Sequence, residues 1–176
     1  MSLLTRLFSR ENPNIVMQPL YEAIIGEGRR PGWYENGGVP DSLDGRFDMI
    51  AAIFSLVLLR LEKDSDTEQQ TAWLTEHFVR DMDGQLRQIG IGDMVVGKHV
   101  GKMMGALGGR LGAYRDAFAG RQQLEEVLTR NLYRDEAPGA EELAFTIAGL
   151  RQFHDQLATR QINSVLAGDI PEALPA

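Results

Sequence analysis

Apolar residues recur at helical spacing along most of the chain. The clearest pattern runs from Phe47 to Leu61, where apolar residues return every three or four positions and most flanking positions are apolar too. Because this segment has almost no polar face, we expect it to be the central, buried helix. Its longest apolar run, from Met49 to Leu59, is shorter than the ~20 residues that cross a bilayer. A membrane span is therefore not indicated.

Five more helices follow from the same periodicity. They are predicted from Asn12-Pro13 to Gly28 with a kink at Pro19, from Thr67 to Ile89, from Val100 to Phe118, from Leu124 to Leu132, and from Leu143 to Leu157. The sequence shows no strand-like alternation bounded by turns and no internal repeat. The pattern therefore predicts an all-α, single-domain bundle of about six helices over residues 13–160. Residues 161–176 are expected to form a C-terminal tail that is loose after Gly168.

Glycine, proline and asparagine are concentrated between the first helix and the central helix, over residues 29–44. So many turn formers favour a loop over any helix or strand. Trp33 and Tyr34 lie inside this segment, and large aromatics in a Gly/Pro-rich loop normally pack onto the body of the protein. We therefore expect an ordered loop and not a flexible linker.

Residues 1–12 form a separate amphipathic segment, with Leu3, Leu4, Leu7 and Phe8 on one helical side. Such a turn could touch a membrane surface, or it could be a frayed terminus. The sequence shows no basic leader, long apolar region or small-residue cleavage site. We therefore expect a cytoplasmic protein, with peripheral contact to the inner membrane as an option.

Charge and composition narrow the function further. Lys and Arg number 18 against 25 Asp and Glu, a net charge of −7, which argues against nucleic-acid binding because such proteins present a basic face. A small basic island between Asp93 and Gly120 is too weak to change this. The chain has no cysteine, which excludes disulfides, thiol nucleophiles and Cys-ligated metals.

Candidate catalytic and metal-binding residues are sparse. His77, His99 and His154 are far apart, and the sequence has no Glu-x-x-His pair, nucleotide-binding loop or nucleophile elbow. We therefore expect no metal, no cofactor and no small-molecule substrate. His77 and Asp81 lie one turn apart and are the best candidates for an enzyme, together with the Asp-rich loop before the central helix.

Asp81 also suggests a buried charge. It lies beside the apolar stripe of its helix, whereas Asp83 points about 200° away at 3.6 residues per turn. An inward carboxylate needs a partner, and Arg46 at the start of the central helix is the leading candidate. The alternative is a solvated Asp81 at the edge of the stripe.

Five glycines recur every three or four residues along and just before the predicted Val100–Phe118 helix, and would form one stripe on it. They are Gly97, Gly101, Gly105, Gly108 and Gly112. Because each glycine disfavours a helix by about 1 kcal/mol relative to alanine, the stripe needs a compensation. Three interpretations remain open: close packing inside the fold, a break in the helix, or a groove that receives a helix of a client protein.

Two blocks of the sequence resemble the ubiquinol-cytochrome c chaperone family. The first is GGVPDSLDGRFD, residues 37–48, followed by the apolar helix that ends at Leu61. The second is FVRDMDGQLRQIGIGD, residues 78–93, with Gly109-Arg110 and Ala113-Tyr114 as its continuation. The resemblance covers roughly Tyr21 to Phe118. Gly97 departs from it, because the family is expected to carry a proline there.

The resemblance implies a helical, non-enzymatic assembly factor that binds newly made cytochrome b and promotes assembly of the cytochrome bc1 complex. In a bacterial member this encounter would take place at the cytoplasmic face of the inner membrane, near lipid or the ribosome, without nucleic-acid specificity. A small helical enzyme and a helical scaffold module are the alternatives.

Binding to cytochrome b needs an adaptable apolar surface with a polar rim. The expected contact residues are Trp33, Tyr34, Val39, Met94, Val95, Val96, Met103 and Met104, with Lys98 and Lys102 at the rim. The residues of the two family blocks are instead expected to cap helices and pair charges. They are Pro40, Asp41, Asp44, Gly45, Arg46, Asp81, Asp83, Arg87, Gly92 and Asp93.

Overall fold

The computed structural model describes residues 13–88 and 93–173, and the regular elements in these ranges are all helical. A 3-10 helix over Pro13–Met17 leads into α1 (Gln18–Gly28), α2 (Pro31–Glu35), α3 (Leu43–Leu61), α4 (Glu68–Gln88), α5 (Asp93–Phe118), α6 (Leu124–Asn131), α7 (Ala140–Thr159) and α8 (Ile162–Leu166). Six α-helices within these ranges have eight or more residues, which confirms the predicted all-α bundle. The amphipathic segment 1–12 lies outside the described residues.

Helix α3 is the centre of the bundle, as predicted. Ser42 caps it by accepting a hydrogen bond from Gly45 N–H at 3.1 Å. Every residue from Asp48 to Leu59 is buried, because α1, α4, α5 and α7 all contact this helix. Each large apolar side chain buried there contributes about 1.5–3 kcal/mol, so α3 supplies much of the stability of the fold.

The helix predicted from Asn12-Pro13 to Gly28 is divided in two. Helix α1 begins at Gln18 after the 3-10 helix, so Pro19 lies in its first turn. A proline is tolerated there because an N–H in the first turn has no partner within the helix. Pro19 therefore marks a boundary and does not kink a continuous helix.

The segment between α1 and α3 is ordered, as predicted, but part of it is the short helix α2. Trp33 of α2 is fully buried, and its indole N–H donates to Glu27 O at 2.9 Å. Tyr34 Oη donates to Gly28 O at 2.7 Å. The two aromatic residues thus tie α2 to the end of α1. The sequence predicted only a loop here because proline and glycine are common in turns. Proline is also common at the first position of a helix, and α2 begins in this way.

Residues 160–173, which follow α7, belong to the fold, which corrects the expectation that the chain is loose from Gly168 to Ala173. Val165 and Ala173 are buried. Ala173 N–H donates to Glu27 Oε1 at 3.2 Å, and Arg30 pairs with Glu172 at 2.9 Å. The chain therefore stays attached to the end of α1 as far as Ala173.

Candidate protein-binding surface

Helix α5 exposes a face made of glycine, alanine and lysine, which we call the glycine face. It consists of Gly97, Lys98, Gly101, Lys102, Gly105, Ala106, Gly108 and Gly109, all exposed. The helix is continuous from Asp93 to Phe118, so the interpretation of a broken helix is wrong. A Cβ added at any of these glycines or at Gly112 would meet nothing within 4 Å outside its own helix. The interpretation of close internal packing is therefore wrong as well.

The glycines of α5, whose Cβ positions have no described neighbour outside their own helix, lower the stability of this helix. The six glycines of α5 together disfavour the helix by about 6 kcal/mol relative to alanine, and no other described element lies within 4 Å of the Cβ position of any of them to offset this. The opposite side of α5 holds the helix in place, with Leu107 and Tyr114 buried in the core. One side of α5 is thus packed on the core and the other is left open.

A groove lies between α4 and α5, beside the glycine face. It has a volume of about 730 Å³ and is lined by Ala72, Thr75, Glu76, Val79, Arg80, Asp83, Gly97 and Val100. Gly97 belongs both to this groove and to the glycine face, so the two form one continuous surface. The lining combines small and apolar side chains with the charged Glu76, Arg80 and Asp83.

Five of the predicted contact residues lie partly or fully at the surface. Lys98 and Lys102 are exposed on the glycine face. Met103 and Met104, also on α5, are half-buried against the core, and Tyr34 is half-buried on α2. The two methionines therefore lie at the border between the packed side and the open side of α5.

The remaining predicted contact residues are not at the described surface. Trp33 and Val39 are 0% and 2% exposed, so their interpretation as contact residues is corrected: the loop is pinned to the protein by burying them. Met94, Val95 and Val96 lie in the first turn of α5, and their side chains are outside the described part of the chain.

The first family block builds a tight turn at the start of α3. A Cβ on Gly45 would lie 2.0 Å from Pro40 O, so only glycine fits there. Arg46 Nε pairs with Asp41 Oδ1 at 2.6 Å, and this hydrogen bond lowers the pKa of the exposed Asp41 carboxyl. Together with the Ser42 cap, these contacts fix the path of the chain into α3.

The same segment is held at Gly37 by a buried tyrosine. Tyr133 Oη donates to Gly37 O at 2.6 Å and lies 2.9 Å from Thr146 Oγ1. Burial raises the pKa of Tyr133 to about 12, so its hydroxyl keeps its proton and remains a donor at any physiological pH. This contact joins the turn before α3 to α7.

A buried ion cluster lies one turn into α3, and sequence reasoning missed it. Asp48 is fully buried and accepts hydrogen bonds from Arg110 Nη2 and from Arg134 Nε, the latter at 2.6 Å. Arg134 also pairs with Asp44 at 2.8 Å. Burial raises the pKa of the Asp48 carboxyl, and the two guanidinium groups oppose that shift. The cluster connects α3 to α5 and to the segment after α6.

The ubiquinol-cytochrome C chaperone family model matches residues 35–171, most of the chain. The chain belongs to this family. The crystal structure of the Cbp3 homolog from Brucella abortus is similar over 97% of this chain and 96% of that chain, with 28% sequence identity and a TM-score of 0.79. Comparison with curated proteins gives no match. The resemblance seen in the two sequence blocks is therefore confirmed.

In this chaperone, the second family block does not form the predicted pair between Arg46 and Asp81. Asp81 accepts a hydrogen bond from Tyr21 Oη at 2.7 Å, while Arg46 binds Asp41. Asp83 pairs with Arg87 one turn later at 2.7 Å. The side chain of Asp93, at the start of α5, and the whole of Gly92 lie outside the described residues.

Of the groups in the enzyme alternative, His77 and Asp81 line one pocket with Tyr21, and the Asp-rich loop is not part of its lining. His77 Nε2 lies 2.8 Å from Asn14 O, and its ring stacks on Tyr21. Asp41 and Asp44 of the Asp-rich loop each pair with a different arginine. Over residues 13–88 and 93–173, no group of three His, Asp or Glu could hold a metal ion. Among the helices described, none has both the length and the apolar character to cross a membrane.

Proposed function

We propose that this chaperone binds newly made cytochrome b and promotes assembly of the ubiquinol-cytochrome c reductase (bc1) complex. The observation that carries the proposal is the family match over residues 35–171. The similarity to the Cbp3 homolog over nearly the full length of both chains supports it. A chaperone of a membrane subunit needs a surface that accepts an apolar helix, and no reactive centre.

The glycine face and the groove beside it are the proposed client-binding surface. Transmembrane helices associate through small residues that let two backbones approach closely, and the glycine face presents such residues on an exposed helix. A client helix packed there would supply the contacts that the glycines lack in the free chaperone. Val79 and Val100 add apolar area, and Met104 can adjust its side chain to the client.

Lys98 and Lys102 form the proposed rim. Neither lysine has an ion-pair partner among the described residues, although the chain as a whole is acidic. They would face acidic groups beside the client helix, lipid headgroups or the ribosome. This arrangement would bring the chaperone to the cytoplasmic surface of the inner membrane as a peripheral protein.

A gene deletion tests the function, and one pair of substitutions tests the surface. Gly101→Leu/Gly105→Leu fills the glycine face without an internal clash, since a Cβ at either position meets nothing within 4 Å. The matched control is Ala144→Leu/Ala148→Leu, which places the same side chains four residues apart on the exposed side of α7. The readouts are the amounts of cytochrome b and of bc1 complex in host membranes.

We expect the deletion strain to lose both cytochrome b and bc1 complex, and the control variant to restore them. The glycine-face variant should accumulate normally and yet restore little of either. Normal bc1 complex in the deletion strain would contradict the assembly function. Full restoration by the glycine-face variant would leave the function intact and exclude this surface.

A further inference from the structure

The ion pair between Asp48 and Arg110 connects the core to the helix that carries the glycine face. Arg110 lies on α5, and its side chain is only 13% exposed. Its Nη2 donates to the buried Asp48 carboxylate, its Nε donates to Asn131 O at 3.3 Å, and its guanidinium lies 5.5 Å from the ring centroid of Phe47. One side chain of α5 thus contacts both α3 and the end of α6.

From this geometry we infer that Arg110 is a positioning residue. It sets the rotation of α5 about its own axis and thereby the direction in which the glycine face points. This inference rests on the proposed function, because the glycine face is the proposed client-binding surface. The other inward residues of α5, such as Leu107 and Tyr114, are anchored by apolar packing, and the hydrophobic effect that drives such packing is non-directional. An ion pair with hydrogen bonds does have a required direction.

Rotation of α5 would break the pair. Turning an α-helix by one residue corresponds to 100° and a 1.5 Å shift along the axis, which would carry Arg110 away from Asp48. A fully buried carboxylate would then keep only Arg134 as its cation, an arrangement disfavoured by the cost of burying charge. The same rotation would remove Gly97 from the groove that it lines. The pair therefore selects the one rotation in which the groove and the glycine face are continuous.

The decisive variant replaces the pair with apolar residues. Exchanging a buried ion pair for apolar side chains often leaves stability unchanged or raises it. Asp48→Leu/Arg110→Leu therefore removes the pair that sets the rotation of α5 without an expected loss of stability. Arg115→Met is the matched control, because Arg115 is on the same helix and forms an exposed pair with Glu62 at 2.8 Å. Arg110→Met and Arg110→Lys form a second series that keeps Asp48 and Arg134.

Two readouts follow the rotation and its consequence. The chain has no cysteine, so spin labels on Ala106→Cys of α5 and Ala144→Cys of α7 report one distance by pulsed electron paramagnetic resonance. Capture of detergent-solubilised cytochrome b by the unlabelled variants reports client binding. Urea unfolding shows whether each variant is folded.

We expect the parent, Arg115→Met and Arg110→Lys to give one narrow distance distribution and similar capture. Asp48→Leu/Arg110→Leu and Arg110→Met should remain folded, give a broadened or shifted distribution, and capture at least tenfold less cytochrome b. An unchanged distribution in a folded Arg110→Met would overturn the inference, as would a shifted distribution with full capture. If the parent itself captures no cytochrome b, the proposed function fails, and the distance measurement alone then decides whether the pair sets the rotation.

Discussion

Glycine serves opposite purposes in two regions of the molecule. Around the start of α3, glycines stand where other atoms leave no room: a Cβ on Gly45 would lie 2.0 Å from Pro40 O, and one on Gly28 would lie 2.9 Å from Ile50 Cγ1. On the glycine face of α5, an added Cβ would meet nothing within 4 Å outside the helix. The first region is complete within the monomer, whereas the second leaves room for another molecule.

The two regions also differ in whether their charged side chains form ion pairs within the chain. At the start of α3, the carboxylates of Asp41, Asp44 and Asp48 are each paired with an arginine. On the glycine face, Lys98 and Lys102 have no ion-pair partner among the described residues. A region that satisfies its own charges is a scaffold, and a region that leaves cations free can use them on a partner.

The largest effect is expected from Asp48→Ala in the scaffold region. Removing the carboxylate leaves the largely buried Arg110 without its partner, and breaking a buried pair in this way costs about 3–5 kcal/mol. Urea unfolding at neutral pH measures the loss. Asp41→Ala, which breaks an exposed pair, is the control and should change the unfolding midpoint little. Equal midpoints for the two variants would show that the buried cluster is not a support of the fold.

Gly45→Ala should be the next most damaging change. The new methyl group would overlap Pro40 O, so the turn before α3 must shift, with a loss of about 2–3 kcal/mol in the free energy of unfolding. The same urea experiment checks it. A stability equal to that of the wild type would mean that the turn has room the structure does not show.

Alanine substitutions on the glycine face should raise the free energy of unfolding, whereas the two preceding substitutions lower it. Gly101→Ala and Gly105→Ala introduce no clash and should each raise the free energy of unfolding by about 1 kcal/mol. Thermal unfolding of the single variants and of the pair measures the gain, which should be additive. A loss of stability at either position would show that the glycine contacts other parts of the chain, and would contradict the contrast between the two regions.

The smallest effect is expected at Glu27, where the chain end meets α1. Burial raises the pKa of the Glu27 carboxyl above its ordinary value of 4.5, so the folded state binds the proton more tightly than the unfolded state. Stability from this site is therefore greatest below pH 4.5 and falls as the pH rises through the raised pKa. Glu27→Gln should be more stable than the wild type at pH 8, with no advantage near pH 4. The same difference in free energy of unfolding between Glu27→Gln and the wild type at both pH values would contradict this.

Much of the fold could be predicted from the sequence because it depends on local pattern. The helical period of apolar residues identified α3 as the central helix, and its burial from Asp48 to Leu59 confirms this. Helix α2 was missed because its proline and glycine are turn formers as well as helix starters. The attachment of Ala173 was missed because it depends on Glu27, which lies 146 residues earlier.

The site was less predictable because the sequence pattern does not specify which charges pair or which helix faces are packed. Arg46 was assigned to Asp81, but a nearer carboxylate, Asp41, binds it. Asp48 carried a usable signal, since a carboxylate inside an apolar helix needs a cation; its partner Arg110 lies 62 residues away. The glycine pattern predicted a stripe, but whether that stripe is packed or open depends on neighbouring helices that the pattern does not specify.

Binding of cytochrome b by purified protein tests the central claim most directly. Wild type, Gly101→Leu/Gly105→Leu and Ala144→Leu/Ala148→Leu would be compared for capture of detergent-solubilised cytochrome b, with urea unfolding of each in parallel. We expect the wild type and the α7 variant to bind alike, and the glycine-face variant to bind at least tenfold more weakly while unfolding at a higher urea concentration. Unchanged binding by a stable glycine-face variant would show that the open side of α5 does not hold the client.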